Sequence, residues 1–278
     1  MQTDDIPFAI RLTDGENWGV TRADLERLMR INPRGCFVAF DGIRKVGITT
    51  TTTYLKKLAW IGNVIVHKSH RGKHIGRALV DHATLHLQRT GVQHIALYCY
   101  NEHVNFYENL GFVRDARFLR LRRNPAKVQH LMERSNYQRP LPMGKLLDAD
   151  RRAFGADRSK LIGAVLADGI AWIIGETQGT STISYLMVKE SADECELGPW
   201  VCLDPPRGEP GRMIDQALVR VGSLPAEVGC LRSNRPAVRT LDRNGFRTVR
   251  EGHRMFLEKR AEIGDDNAQY ALGFLDKG

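Results

Sequence analysis

The sequence predicts an α/β fold with mixed sheets, repeated as two similar units in tandem, and three observations predict it. At 278 residues the chain is longer than the roughly 100–200 residues of one typical domain. Short β-branched and aromatic runs alternate with stretches of helical periodicity. The order of these segments also occurs twice. Trp60 to Val66 (WIGNVIV) leads to Arg71-Gly72, a helix-like run ending RALVDHA, a strand HIALYCY, and NEHVNFYENLGF. Leu197 to Leu203 (LGPWVCL) leads to Arg207-Gly208, a run containing DQAL, a strand-like VGCLRS, and NRPAVRTLDRNGF. An internal duplication accounts for the echo.

The elements of the first unit follow in order. Gly35-CFVAF-Asp41-Gly42 and Lys45-VGITTTTTY read as a hairpin turning at Asp41-Gly42, the threonine run being a β-branched strand. Val64-Ile65-Val66 is a continuous apolar run of the kind buried on both faces of a sheet. Beyond Gly76, the residues Ile75, Leu79, Ala83 and Leu87 recur every four positions and form a helix stripe that Gly91 closes. His94 to Tyr100 is the next strand. The Pro/Arg/Asn-rich stretch from Arg122 to Pro142 marks a boundary. The expected organisation is a first domain over residues 1–128, a linker over 129–142, a second domain over 143–258, and an extension over 259–278 that docks back.

Composition narrows the function. No apolar run reaches the ~18–20 residues of a membrane span and no signal-peptide pattern opens the chain, so a cytoplasmic protein without a membrane partner is expected. Five scattered cysteines (Cys36, Cys99, Cys195, Cys202, Cys230), without Cys-x-x-Cys or zinc-ligand histidine spacing, read as reduced and buried, and no metal is expected. Residues 1–140 carry 22 Lys+Arg against 12 Asp+Glu, and residues 141–278 carry 19 against 20. The basic first half suits a polyanionic ligand, either nucleic acid or a phosphorylated cofactor. Eight basic residues between Arg114 and Arg139 face only Asp115 and Glu133, but no nucleic-acid motif accompanies them, so nucleic acid is not the expected partner.

The chemistry concentrates in Arg71-Gly72-Lys73-His74-Ile75-Gly76-Arg77, between a buried strand and a helix start. Such a turn aims unpaired backbone N–H groups at one point, and the helix dipole adds partial positive charge. Glycine removes side chains that would hold a phosphate off. The loop therefore suits a pyrophosphate, with Arg71, Lys73 and Arg77 adding charge. Neither G-x-G-x-x-G nor G-x-x-x-x-G-K-[ST] is present, which excludes the Rossmann and Walker patterns.

The order of strand, Arg-Gly-Lys-x-Ile-Gly-Arg loop, amphipathic helix, strand and Asn105-Phe-Tyr-Glu-Asn-Leu-Gly-Phe112 resembles the GNAT superfamily of acetyltransferases over residues ~35–118. Arg71 and Gly76 match the family's phosphate loop, while His74 stands in place of its first glycine. The resemblance implies two tandem GNAT-like domains and acetyl-coenzyme A as co-substrate. It implies that backbone groups of Val64, Ile65 and Val66 pair with the pantetheine arm as an added strand would, one N–H also polarising the thioester carbonyl. Asn101 or Asn105 would hydrogen-bond the same arm, although Asn101 stands six residues before Tyr107 where the family's asparagine stands seven before its tyrosine. Tyr107 matches the general acid that protonates the departing thiolate, and its ring also suits a core position beside Phe106 and Phe112.

The base is not evident in this pattern. Many family members place a glutamate on the strand before the loop, and here that strand offers Asn63, which becomes its catalytic candidate. Glu102, His103, His67 and His70 are nearby alternatives, and a water chain or an acceptor of low amine pKa would avoid the need.

The second unit reads as degenerate. In Arg207-Gly208-Glu209-Pro210-Gly211-Arg212, Pro210 lacks an N–H and Glu209 repels phosphate, and Leu241 stands where Tyr107 stands in the first unit. Its opening, with Phe154-Gly-Ala-Asp-Arg158, resembles tandem GNAT proteins whose second half is silent and completes the acceptor pocket; Asp148, Asp157, Arg158 and Trp200 are its acceptor-site candidates. The leading expectation is an N-acetyltransferase for a small-molecule primary amine, working as a monomer or homodimer. The alternatives are a protein lysine or N-terminal acetyltransferase and a non-catalytic acyl-coenzyme A binding module.

Overall fold

A computed structural model describes residues 1–125, 142–178, 182–191 and 193–278. Most of the expected linker, and the Lys127 to Arg139 part of the basic cluster, lie outside the described residues. The first half begins with α1 (Ile6–Asp14), α2 (Arg22–Ile31), β1 (Cys36–Asp41), β2 (Arg44–Tyr54) and β3 (Leu58–Val66). It continues with α3 (Ile75–Arg89), β4 (His94–Tyr100), α4 (Val104–Glu108) and β5 (Phe112–Arg123). The second half contains α5 (Met143–Phe154), α6 (Ser159–Ala167), β6 (Ala171–Gln178), β7 (Thr182–Glu190) and β8 (Cys195–Cys202). After these come α7 (Glu209–Val221), β9 (Ala226–Leu231), α8 (Arg235–Arg243), β10 (Arg247–Leu257) and β11 (Gln269–Ala271).

Local sequence explains the elements that frame the site. The β1–β2 hairpin turns on Gly42-Ile43, one residue later than expected, because Gly42 takes the positive φ of 59° that the first turn position needs. In α3, Leu79, Ala83 and Leu87 are buried, as the four-residue repeat requires, and Gly91 follows the helix at φ 75°. The order β3–α3–β4–α4–β5 recurs as β8–α7–β9–α8–β10, so the duplication is structural as well as sequential.

The strands of the two halves interleave. The sheet runs β1-β2-β3-β4-β10-β5-β9-β8-β7-β6, with β11 on β8. Thus β10 of the second half lies antiparallel between β4 and β5 of the first, and β5 lies antiparallel against β9 of the second. The crossing needs a glycine at Gly252, since a Cβ there would fall 2.2 Å from the Cys99 carbonyl oxygen and 2.5 Å from the Phe118 ring.

Exchange also settles charge. Arg120 of β5 pairs with Glu227 of β9 (2.5 Å) and Glu196 of β8 (3.2 Å), and Arg122 pairs with Glu227 (2.8 Å) and Glu194 (3.4 Å). Buried Arg254 of β10 bonds Asp115 of β5 at 2.6 Å and takes both oxygens of Asp266 at 2.8 Å. Part of the basic excess read from the first half is therefore answered by acids of the second.

Both sheet faces are covered. Apolar cores under α3 and α4, and under α7 and α8, fill one face. On the other, one core joins Tyr54, Leu58 and Trp60 of the first half to Phe154, Ile162, Tyr185 and Met187 of the second. There Asp24 of α2 accepts from Arg27 (2.8 Å) and from Lys189 of β7 (2.7 Å), while Arg27 also reaches Asp168 (2.7 Å). Against the opposing effect of burial, the Lys189 and Lys277 cations, with the Thr21 hydroxyl's hydrogen bond, hold the Asp24 carboxyl well below the usual carboxylate range.

The exchange yields a prediction about independence. A chain ending at residue 125 leaves one edge of β4 and both edges of β5 unpaired, an invitation to aggregation. Size-exclusion chromatography of that fragment alone is expected to show aggregates, and co-production with residues 142–278 a single 1:1 species.

Candidate functional site

The site begins where β3 and β4 part. They pair in parallel only over Leu58↔His94, Ala59↔Ile95 and Trp60↔Ala96. Past that point β4 is held on its far side by β10, through Met255↔Leu97 to Gly252↔Tyr100, and β3 stays with β2. The two strands therefore splay, and among the described residues no strand pairs with the edge of β3 facing β4 beyond Trp60. A bulge sits at the fork, where Asn63 and Val64 together oppose Thr49 and Asn63 takes φ 50°. Val64 and Val66 are only half-buried and Ile65 is buried, so the expected fully buried run instead borders the fork.

The loop after β3 holds its conformation with two left-handed residues, Gly72 at φ 79° and His74 at φ 60°, ψ 9°. His74 is the N-cap of α3, offers no side-chain cap, and adopts the conformation that a glycine would take there more cheaply. Among the described residues no hydrogen bond is made by the backbone N–H groups of Gly72, Lys73, His74, Ile75, Gly76 or Arg77. Six donors thus stand at the positive end of a 15-residue helix. The Arg71 side chain is occupied: its Nε donates to the Val66 carbonyl at 3.0 Å and a terminal nitrogen reaches Glu16 at 2.6 Å. It braces loop against strand. Arg77 lies 3.5 Å from Asp81 along the helix, and Lys73 is exposed.

Helix α4 closes the fork from below. The Phe106 ring comes within 3.6 Å of where a Gly76 Cβ would be, which sets α4 against the loop. Tyr107 is buried, its ring edge-on to Phe106 and Phe112, in the same core as Val64, Leu97 and Cys99. Burial pushes its phenol above the ordinary value, so it is protonated at neutral pH. Asn101 and Asn105 flank this turn with exposed side chains. Of the base candidates, Glu102 is bound to Arg250, which stacks on Tyr100 at 3.6 Å, and His67 and His70 each share a 2.8 Å contact with the Ser69 hydroxyl. His103 is exposed.

Sequence reasoning missed a participant at the fork. The extension first runs as β11 against Trp200 and Val201 of β8, and Leu272 N–H donates to the Gly229 carbonyl of β9 at 2.8 Å. It thereby fills the second half's fork, because β8 and β9 pair only from Cys195↔Ala226 to Leu197↔Val228. It then crosses to the first fork. Asn63 Nδ2 donates to Thr50 Oγ1 (3.1 Å) and to Asp276 Oδ2 (3.0 Å), the Tyr54 hydroxyl donates to the Lys277 carbonyl, and Arg158 donates to the Gly278 carbonyl at 2.9 Å. A Cβ on Gly62 would lie 2.1 Å from the Asp276 carbonyl oxygen. That glycine was the available signal.

The second half's own loop is closed. Gly208 is the N-cap of α7 at φ 86°, which makes it the counterpart of His74, so Glu209 and Pro210 answer to Ile75 and Gly76. Glu209 is buried, its N–H is spent on the Pro206 carbonyl at 3.0 Å, and Pro210 has none. Among the acceptor-site candidates of this half, Trp200 is buried against Tyr270, Asp148 pairs with Arg151, and Asp157 accepts from the Ser159 N–H. Arg158 grips Asp150 of α5 with two bonds (2.6 and 3.1 Å), and its bond to the Gly278 carbonyl anchors the extension. All five cysteines are free and buried, and burial pushes the thiols of Cys36 and Cys195 up to about 11 and those of Cys99 and Cys230 up to about 12.

The loop conformation carries a test. His74→Gly removes a left-handed β-carbon costing about 1 kcal/mol, so thermal or denaturant unfolding is expected to show a more stable protein by up to that amount. Gly72→Ala, at φ 79°, is expected to shift stability in the opposite direction by a similar ~1 kcal/mol.

Comparison with known proteins agrees with this geometry. Residues 32–114 and residues 146–271 each match a family model described as an acetyltransferase (GNAT) domain, together about three quarters of the chain. No curated protein sequence matches it. A candidate acetyltransferase from Pyrococcus horikoshii superposes with TM-score 0.80 at 21% identity, covering 100% of this chain and 94% of that one. A GCN5-related N-acetyltransferase from Sphaerobacter thermophilus gives 0.66 at 15%, covering 96% of each chain. A tandem GNAT protein from the clavulanic acid biosynthesis pathway gives 0.65 at 12%, covering 93% and 96%. With the same forked sheet laid down twice and both copies matched by the family, the chain belongs to the GNAT acetyltransferases, in their tandem form.

Proposed function

We propose that the protein is an N-acetyltransferase that moves an acetyl group from acetyl-coenzyme A to a primary amine of a small molecule, using the fork of the first half. The observation that carries this reading is the set of unspent N–H groups from Gly72 to Arg77 placed beside an unpaired strand edge at Val64, Ile65 and Val66. A pyrophosphate suits the first and a peptide-like pantetheine arm the second. Lys73 and Arg77 add charge at the loop, and exposed Asn101 and Asn105 are within the turn that borders the fork. In the second half the Glu209 and Arg212 N–H groups are spent, Pro210 has none and β11 lies along β8, so one donor site per chain is proposed, in a cytoplasmic protein.

In this reading the bulge at Asn63 aims a β3 N–H at the thioester carbonyl, where it stabilises the oxyanion formed as the amine attacks. The carbon–sulfur bond breaks, and the thiolate takes a proton from Tyr107, which burial keeps protonated until then. A small acceptor is favoured over a protein chain because the Asn63 side chain is buried, bonded to Thr50 and to Asp276 of the extension.

Isothermal calorimetry with coenzyme A, beside a thiol-release screen of amines with acetyl-coenzyme A, tests this directly. Binding with one site per chain and turnover of at least one amine are expected; absence of heat removes the donor site. Tyr107→Phe is expected to lower kcat by about 10²-fold or more while the coenzyme A Kd stays within a factor of two. Unchanged turnover would take Tyr107 out of the mechanism.

A further inference from the structure

The fork lacks a carboxylate of its own on β3, yet one is delivered to it from the far end of the chain. Asp276 Oδ2 sits 3.0 Å from Asn63 Nδ2, at the bulge where the thioester carbonyl would be polarised. Of the other carboxylates bordering the loop and fork, Glu16 pairs with Arg71 and Glu102 with Arg250. Asp276 is held firmly in place. Tyr54 and Arg158 grip the backbone on its C-terminal side, Gly62 gives it room, and the N–H groups of Lys277 and Gly278 return to the Phe274 carbonyl at 2.9 and 2.7 Å.

We propose that Asp276 is the catalytic base of the first-half fork, receiving a proton from the acceptor's ammonium group; this rests on the acetyltransferase reading above. Its carboxylate has about four lone-pair sites, of which Lys277 Nζ takes one on each oxygen (2.7 and 2.6 Å) and Asn63 one on Oδ2. One site on Oδ1 is left for an incoming N–H. The side chain keeps 23% of its surface, against 5% for Lys277, so an acceptor reaches the carboxylate and not the ammonium.

The groups facing Asp276 are Lys277 on its own segment, Lys189 of β7, Tyr54 of β2, Asn63 of β3 and Cys36 of β1. Lys277 stays on both carboxylate oxygens, and the acceptor's ammonium takes the open site on Oδ1. In the step, the ammonium N–H passes to the Asp276 oxygen and the freed lone pair attacks the carbonyl carbon. The C–N bond forms, the C–S bond breaks, and the sulfur takes the Tyr107 proton. Loss of the second amine proton as the amide forms restores the phenol through solvent, and Asp276 returns its proton to water, so the sum releases one proton.

The experiment compares wild type with Asp276→Asn and Asp276→Glu, using acceptor amines of graded pKa. For Asp276→Asn, coenzyme A binding by calorimetry and the melting transition are expected to be preserved. Its kcat/KM at pH 7 is expected to fall about 10²-fold for amines of pKa near 10, with the loss shrinking as pH rises or as amine pKa falls. Asp276→Glu is expected to recover most of the activity. A loss equal at every pH and amine pKa would make Asp276 structural and overturn the proposal, as would unchanged turnover. Wild type alone gives a second reading should the variant not fold. A shallow dependence of kcat/KM on amine pKa supports proton removal on the enzyme, and a full tenfold loss per pKa unit overturns it. Wild type binding coenzyme A but following the overturning pattern sinks only this proposal; wild type binding none sinks the reading beneath it.

Discussion

The exchange of β5 and β10 is the constraint on which the rest depends. A strand pair splays only if each partner is held from its other side, and β4 is held there by a strand of the opposite half. The fork in the first half is thus a property of the whole chain. The same exchange places Arg120 and Arg122 among Glu194, Glu196 and Glu227, where partly buried cations and carboxylates answer one another. Charge, pairing and fork geometry have one cause.

Much of the architecture was legible because the relevant forces are local. The four-residue repeat of α3, the left-handed Gly91, the β-branched strand from His94 to Tyr100 and the duplicated order of segments each follow from neighbouring residues. The exchange was not legible, because strand partners in a mixed sheet are chosen by tertiary packing. Its one trace was the imbalance of +10 against −1 between the halves, which composition alone attributed to a polyanionic ligand. At the site, the Gly72 to Arg77 donors follow from a glycine-containing turn before a helix. That Arg71 turns back to Val66 and Glu16 does not, since Glu16 lies on a segment with no pattern linking it to the loop.

Asp276 was illegible for a related reason. Nothing within ten residues of it suggests chemistry, and its meaning comes from Gly62, Asn63, Tyr54 and Arg158, all more than 100 residues away in sequence. Asp148, Asp157, Arg158 and Trp200 drew attention as acceptor-site candidates because of their type and setting, and the fold uses the last two for packing and anchoring. The second half retains the same fork, and β11 lies in it as an internal ligand.

The extension has a kinetic consequence. β10 meets β4 across about 150 residues of sequence, and Asp276 meets Asn63 across more than 200, so both contacts carry a high loop-closure cost and form late. During synthesis the loop, the bulge and Tyr107 are all made while β4 still lacks its second neighbour. Every nascent chain therefore passes through a stage with an unfinished edge, and the fork is framed only once residues 247–278 dock.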